Sequence, residues 1–394
     1  MSSFHRLLPI VLAMFLSLTS LTITWTSVHR TLPITAPSSL GVVSTATTAV
    51  TRFNTYPLFS HILIIMMENK GIYNICARSP PPCNGPSTPY MSQLANSYGI
   101  ASQYTSLGHP SLPDYVGPLG GNTYGCIDSC SPVAYPNLVD RLETAGLTWK
   151  AYMEDYTGGC NGTYGGLSTP DHNGFIHFQD IVNNTTRCNR IVDPGVSDGV
   201  LLSDLSSNTT APNYMWLTPN DCHNMRNTCA GQPQTGDNYL AGLVPQILNS
   251  TVFKTTNAAL VITFDEGEDY CPLNGGSEDC LYTVWAGPVV KTSFSSSRLY
   301  SHYSLLATIE KIWNLNPLTS NDTNALPMND FFYPLSPDLN SDGIVDISDL
   351  TLVAARIGIF SGTPRYVPRY DLNQDGVTDI TDLVIVASYL GNLV

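Results

Sequence analysis

"HILIIMMENK", residues 61–70, decides how this chain folds. His61 to Met67 form a short, almost wholly apolar run, and the carboxylate of Glu68 closes it. A run of that length, apolar on both sides, predicts a strand buried on both faces of a sheet. "NYMWLTPND" (213–221) and "AALVITFDE" (258–266) have the same form, and "YTVWAGP" (282–288) reads as a further strand. Helical patterns separate them: "TPYMSQLANSYG" (88–99), "PNLVDRLETAG" (136–146), "YLAGLVPQILNS" (239–250) and "HYSLLATIEKIWNL" (302–315). This alternation predicts an α/β domain with a mainly parallel central sheet. Ligands of such sheets gather at the C-terminal strand ends, which is where Glu68, Asp221, Asp265 and Glu266 fall. One acid there reads as a helix cap or a solvated turn. Four at equivalent ends point to a site.

The chain has 394 residues, only 12% of them charged, with a net charge of −14. That balance excludes binding to a nucleic-acid backbone and suits cation binding or an acidic exported surface. His5 and Arg6 precede the apolar stretch Leu7–Trp25, so residues 1–30 read as a signal peptide or an uncleaved signal anchor. Residues 31–57 are a Thr/Ser-rich spacer. Ten cysteines follow. Four close pairs stand out: Cys76 and Cys83, Cys126 and Cys130, Cys222 and Cys229, Cys271 and Cys280; Cys160 and Cys188 are left over. An even count behind an export signal favours disulfides, and no pair has the two-residue spacing of a zinc knuckle. Glycosylation sequons stand at Asn161, Asn183, Asn184, Asn208, Asn249 and Asn321.

"GHPSLPDYVGPLGGNTYG" (108–125) sets His109 and Ser111 in a stiff segment. Pro110 and Pro113 fix φ there and remove two backbone donors. A serine held so firmly is either a nucleophile or a helix cap.

The C-terminus contains a repeat. "DLNSDGIVDISDLTLVAARIG" (338–358) recurs as "DLNQDGVTDITDLVIVASYLG" (371–391). Each copy opens with a calcium-loop pattern: oxygen side chains at positions 1, 3, 5, 9 and 12, glycine at 6 and a backbone carbonyl at 7. The ligands expected are Asp338, Asn340, Asp342, Ile344, Asp346 and Asp349, then Asp371, Asn373, Asp375, Val377, Asp379 and Asp382. A helix follows each loop. Loop, helix, linker, loop, helix, with Asp at position 12, resembles a type I dockerin. The resemblance implies a small all-α module around two calcium ions (336–394) and a cohesin-type protein partner.

The first domain also resembles a known family. "IIMMENKGIYNI", "GHPSLPDYVGPLGGNT", "TPNDCHNM", "VITFDEGE" and "SHYSLLATIEKIWNL" occur in this order. Together they look like the secreted phosphoesterases that include acid phosphatases and bacterial phospholipases C, within the alkaline-phosphatase-like superfamily. The resemblance implies a three-layer α/β catalytic domain over residues 58–335. It also implies Ser111 as nucleophile, and Glu68, Asn69, Ser111, Asp265 and Glu266 as ligands of a divalent metal. Such hard oxygen donors suit calcium, magnesium or manganese, and zinc stays open. His109, His223 and His302 are expected to contact phosphate or move protons, and Asp114, Asn122 and Arg226 to bind substrate. His61, His172 and His177 read as ordinary packed or solvated histidines.

Two residues depart from the family pattern. Asp114 stands where an asparagine often helps to hold phosphate, and Arg226 where many relatives have a second histidine. The reading that fits best is an exported phosphomonoesterase with a calcium-dependent tail. A phospholipase C-type phosphodiesterase is the rival within the family. A glycosidase built on Asp265, Glu266 and Glu268 explains neither Glu68–Asn69 nor the "HPSLPDY" loop, and an inactive surface interaction protein is a further class.

Overall fold

The computed structural model describes residues 59–160, 164–267, 279–332, 336–340, 342–360, 363, 365–373 and 376–392. The expected signal segment and spacer lie outside the described residues, as do Asn161, Glu268, Cys271 and Asp375.

Among the described residues, the main sheet has eight strands: β1 His61–Met67, β2 Gly99–Ala101, β3 Trp149–Met153, β4 Ile191–Val192, β5 Tyr214–Thr218, β6 Ala258–Phe264, β7 Thr283–Ala286 and β8 Phe294–Ser296. Their order across the sheet is β4-β3-β5-β1-β6-β7-β2-β8. Strand β7 is antiparallel to both of its neighbours, β6 and β2, and the other pairings are parallel. All seven residues of β1 and all seven of β6 are buried, as their continuous apolar runs require.

Helices cover both faces. The elements that matter are α1 Pro89–Ser97, α2 Leu112–Gly120, α3 Leu138–Thr144, α4 Gln234–Leu248 and α5 His302–Ile312. Trp216 of β5 shares its register with Ile64, and Ile64 with Val261, so the three point to one face. On that face Trp216 meets Tyr115 of α2, with ring centroids 6.4 Å apart. Phe264, an odd number of residues beyond Val261, points the other way and meets Tyr282, whose hydroxyl donates to the Met91 carbonyl of α1. The result is the α/β domain with a mainly parallel sheet expected from the alternation, in the three layers implied by the family resemblance.

The register also places the site. Met67 lies opposite Phe264, so Glu68 and Asp265 leave the sheet side by side. Disulfides join Cys76 to Cys83, Cys126 to Cys130, Cys160 to Cys188 and Cys222 to Cys229. Cys280 is also disulfide-bonded. No helix among the described residues is long and apolar enough to cross a membrane.

In the C-terminal repeat, helices α6 Ile347–Ala354 and α7 Ile380–Ser388 follow the two loops. Leu339, Val345, Leu350, Val353, Tyr370, Leu372 and Val386 form a small core, with Leu352 and Leu383 partly buried against it. Both position-6 glycines take left-handed φ, +90° at Gly343 and +87° at Gly376, which other residues avoid. The two loops are wired alike. Asp349 accepts from the amides of Leu339, Asn340 and Asp346, and Asp382 from those of Leu372, Asn373 and Asp379.

One buried acid in α5 gives a prediction. Glu310 Oε1 is buried without a hydrogen-bond donor among the described residues. Burial first, then the charge of Asp322, pushes its pKa up to about 9. The native state therefore holds this proton more tightly than the unfolded chain does, and stability falls as pH rises from about 4.5 to about 9. Glu310→Gln is expected to raise the thermal midpoint at pH 8 by roughly 2–4 °C and to change little at pH 4.5. An unchanged or lower midpoint at pH 8 would count against a buried carboxyl that holds its proton at this position.

Candidate active site

Three carboxylates meet where β1 and β6 end. One oxygen each from Glu68, Asp265 and Glu266 lie within 4.8 Å of one another, and all three residues are buried. Asn69 turns the chain away from β1 with φ +55°, a conformation asparagine tolerates better than most residues. Its amide N–H donates to Asp265 Oδ1 at 2.9 Å, and its side chain donates to Glu68 Oε1 at 2.5 Å.

Ser111 stands at the N-cap of α2, but its side chain makes no capping hydrogen bond. The hydroxyl turns into the acidic cluster instead, 2.9 Å from Glu68 Oε1 and 3.2 Å from Glu266 Oε1. The hydroxyl faces the acids and leaves the helix amides alone.

Electrostatics differ across the cluster. Burial opposes ionisation of Glu68, but His172 and Arg226 outweigh it and hold the carboxyl below its usual range. Burial, then the charges of Glu68 and Glu266, push Asp265 well above. Asp265 Oδ2 is buried and has no hydrogen-bond donor among the described residues. Crowded hard oxygens, with Asp265 Oδ2 and Glu266 Oε2 both lacking a hydrogen bond among the described residues, fit a divalent cation, which removes the repulsion and can take such oxygens.

The expected histidines have distinct surroundings. His109, with a side chain 57% exposed, has Nδ1 2.5 Å from Glu266 Oε2 and Nε2 2.8 Å from Asp279 Oδ2. Burial disfavours its charged form, but Glu266 and Asp279 prevail and raise its pKa. His302 is fully buried at the start of α5, and both its nitrogens are engaged. Nε2 is 3.0 Å from the Asp265 carbonyl and Nδ1 3.1 Å from the Tyr104 hydroxyl. Burial lowers its pKa to about 4, so the ring is neutral and holds the Asp265 backbone. His223 is not brought to the cluster by these contacts: Nδ1 is 2.8 Å from Glu154 and the ring stacks on Tyr239 at 4.3 Å.

The expected substrate residues also divide. Asp114 is buried, with Oδ1 accepting from the Leu107 amide at 2.5 Å and 3.4 Å from His302 Nε2. Burial above all pushes its carboxyl well above the usual range, against the Leu107 hydrogen bond and with the help of Glu266. A carboxyl raised in this way gives up its proton less readily, which eases its departure from the asparagine of the family pattern. Asn122 is not brought to the site. Its Oδ1 accepts from the Tyr124 amide beyond the C-terminal end of α2, about 13 Å of helix away from Ser111. Arg226 does arrive: Nη1 is 3.5 Å from Glu68 Oε1.

Two residues in the site had no distinguishing sequence signal. The ring of His172, read above as ordinary, is buried and stacked on Tyr115, with centroids 5.4 Å apart. Its Nε2 is 3.0 Å from Glu68 Oε2 and its Nδ1 3.4 Å from Asp221 Oδ1. Burial disfavours the charged ring, but Glu68 and Asp221 prevail and raise its pKa to about 10. Arg226 Nη1 lies 2.7 Å from the same Nε2, so the guanidinium and the His172 ring converge beside Glu68. Asp279 is the second such residue, buried against His109.

Residues 83–316 match the model of the Phosphoesterase family, and residues 336–391 that of the Dockerin type I domain. The chain belongs to the phosphoesterase family and ends in a type I dockerin domain. A probable acid phosphatase of Kluyveromyces lactis is 29% identical over 252 residues, covering 60% of this chain and 56% of the relative. A phosphatidylinositol-3-phosphatase of Mycobacterium tuberculosis is 27% identical over 281 residues, covering 70% of this chain and 84% of the relative. The chain thus spans little more than half the length of the acid phosphatase. Among solved structures, an alkaline phosphatase superfamily protein from Vibrio parahaemolyticus is 11% identical with a TM-score of 0.45, over 68% of this chain and 70% of that one.

Proposed function

We propose that this chain is an exported, metal-dependent phosphomonoesterase. The observation that supports it most is the Ser111 hydroxyl, hydrogen-bonded to Glu68 and Glu266 inside a three-carboxylate cluster. Glu68, Asp265 and Glu266, with Asn69 and Ser111, would hold the ion. When bound, a divalent cation there lowers the cost of the serine alkoxide and polarises a phosphate oxygen. Ser111 Oγ, passing its proton to the Glu266 carboxylate that accepts its hydrogen bond, attacks phosphorus as the ester P–O bond breaks, giving a phosphoserine; water then attacks phosphorus, the Oγ–P bond breaks, and Oγ recovers its proton from Glu266. His109 is the solvent-facing acid beside the nucleophile. It protonates the leaving oxygen in the first step and takes a proton from water in the second. His302 and Asp114 fix the Asp265 backbone and the turn before Ser111.

Arg226 favours monoesters over diesters. A guanidinium at the site pairs more strongly with the two negative charges of a phosphate monoester than with the single charge of a diester. Arg226→Gln is therefore expected to lower kcat/KM roughly 10- to 100-fold on an aryl monoester and clearly less on the matching diester. Equal losses on the two would remove this ground for preferring monoesters.

The catalytic domain spans residues 58–335, and residues 336–394 form the calcium-binding module, which takes two Ca²⁺ ions and a cohesin-type partner. Residues 1–30 direct export, in keeping with the disulfides. The deciding experiment is hydrolysis by the purified chain of an aryl phosphate, an aryl phosphodiester and a β-glucan, side by side, with and without a chelator. Chelator-sensitive cleavage led by the monoester supports this reading. Cleavage of the diester alone favours a phospholipase C-type enzyme, and no cleavage of any substrate favours an inactive interaction protein.

A further inference from the structure

Asp279 follows a segment outside the described residues and is itself held by several contacts. The residue is 4% exposed. One oxygen, Oδ2, accepts from the Gly267 amide at 2.9 Å and from Ser106 Oγ at 3.2 Å, and lies 2.8 Å from His109 Nε2. Gly267 directly follows Glu266, and Ser106 belongs to the segment that leads to Ser111. The second nitrogen of His109 is 2.5 Å from Glu266 Oε2. A continuous line of contacts therefore runs from Asp279 through His109 to Glu266, and from Glu266 to the Ser111 hydroxyl. The backbone beyond Asp279 is pinned on two sides: Cys280 bridges to Thr105 and Leu281 to Gly71, with Leu281 N donating to the Tyr104 carbonyl at 2.7 Å.

We infer that Asp279 is a positioning residue of the catalytic centre, holding Glu266 in its ligating orientation through His109 and the Gly267 amide. The inference rests on the reading of Glu68, Asp265 and Glu266 as metal ligands. A glutamate ligand rotates about its side-chain torsions unless outer partners fix it, and losing such a partner typically weakens metal binding 10- to 100-fold. Asp279 supplies two such restraints from one buried carboxylate. Its chain-terminal side of the site is reached only by folding, since 13 positions separate it from Glu266 and 170 from His109.

The test is calorimetric titration of the full-length protein with Mn²⁺, in calcium-containing buffer that fills the C-terminal loops. Asp265→Asn serves as the blank that identifies the catalytic component of the binding. Asp279→Asn and His109→Gln are each expected to weaken that component about 10- to 100-fold. The double variant is expected to bind no more weakly than the weaker single one, because both lie on one line of contacts. At saturating Mn²⁺, Asp279→Asn should regain most of its turnover of an aryl phosphate, which a merely misfolded variant would not do. Should Asp279→Asn fail to fold, Asp279→Glu, which keeps the charge, carries the same comparison with His109→Gln. Binding by the Asp279 variant within threefold of wild type overturns the inference, and so does full additivity in the double variant. An Asp265→Asn protein that still binds Mn²⁺ like wild type overturns the metal-site reading, and the inference with it.

Discussion

Ser111→Ala is expected to cut phosphate monoester turnover by roughly 10⁴-fold or more, the scale on which serine hydrolases lose activity without their nucleophile. Folding should be nearly untouched. An N-cap serine replaced by alanine usually costs about 1 kcal/mol, but that cost comes from a side-chain bond to the helix amides, and Ser111 makes none. Glu68 Oε1 keeps its hydrogen bond from Asn69. The variant therefore separates the two roles open to this serine. Loss of stability with kcat retained would identify a cap. Loss of kcat with an unchanged thermal midpoint would identify the nucleophile. A second readout comes from quenching the wild-type protein during turnover of an aryl phosphate and mapping the phosphopeptide. The phosphoryl group should sit on the peptide containing Ser111, and finding it elsewhere, or finding near wild-type kcat in the variant, rejects the assignment.

The parts of this site that were legible lie on regular elements. Glu68 and Asp265 could be read because each ends a continuous apolar strand, and the parallel register sets them side by side. Strand β3 was not legible. "WKAYM" carries Lys150 at its second position, and the run looks broken until Lys150 is seen reaching Asp204 at 2.6 Å. That long side chain leaves the sheet with its charge paired, so one interior lysine did not signal a loop. His172 was illegible for a different reason. It sits on a single 3-10 turn, Pro170–His172, with no periodicity to assign it a face, and its partners Glu68 and Asp221 come from two other strand ends. Asn122 shows the opposite error: closeness in sequence to Ser111 suggested closeness in space, but the nine-residue helix between them carries it away. Asp114 departs from the family pattern as a carboxyl where an asparagine is common. Its burial, which pushes the carboxyl well above the usual range, is a tertiary property that the sequence does not show.

Removing calcium is expected to unfold residues 338–391 and to leave the phosphoesterase domain folded. Helices α6 and α7 have eight and nine residues, too short to persist alone in water. Among the described residues, the core between them has seven buried apolar residues, little for a module of this size. Against that stands the charge of the loops. Asp338, Asp342, Asp346 and Asp349 crowd one loop, and Asp371, Asp375, Asp379 and Asp382 the other. Backbone amides offset part of it, since Asp338 accepts from Asp342 and Gly343, and Asp349 from three amides. Amides have no net charge to cancel four carboxylates, so a cation has to supply the rest. Each site filled at a hundred times its Kd contributes about 2.7 kcal/mol, and two such sites are comparable with the whole stability of a small domain. The measurement is amide hydrogen exchange on the full chain in calcium and after chelation. Amides of residues 350–354 and 383–388 should be protected in calcium and exchange at unfolded rates without it, while those of β1 and β6 stay protected. Unchanged protection in α6 and α7 after chelation would mean that their apolar contacts alone hold the module together.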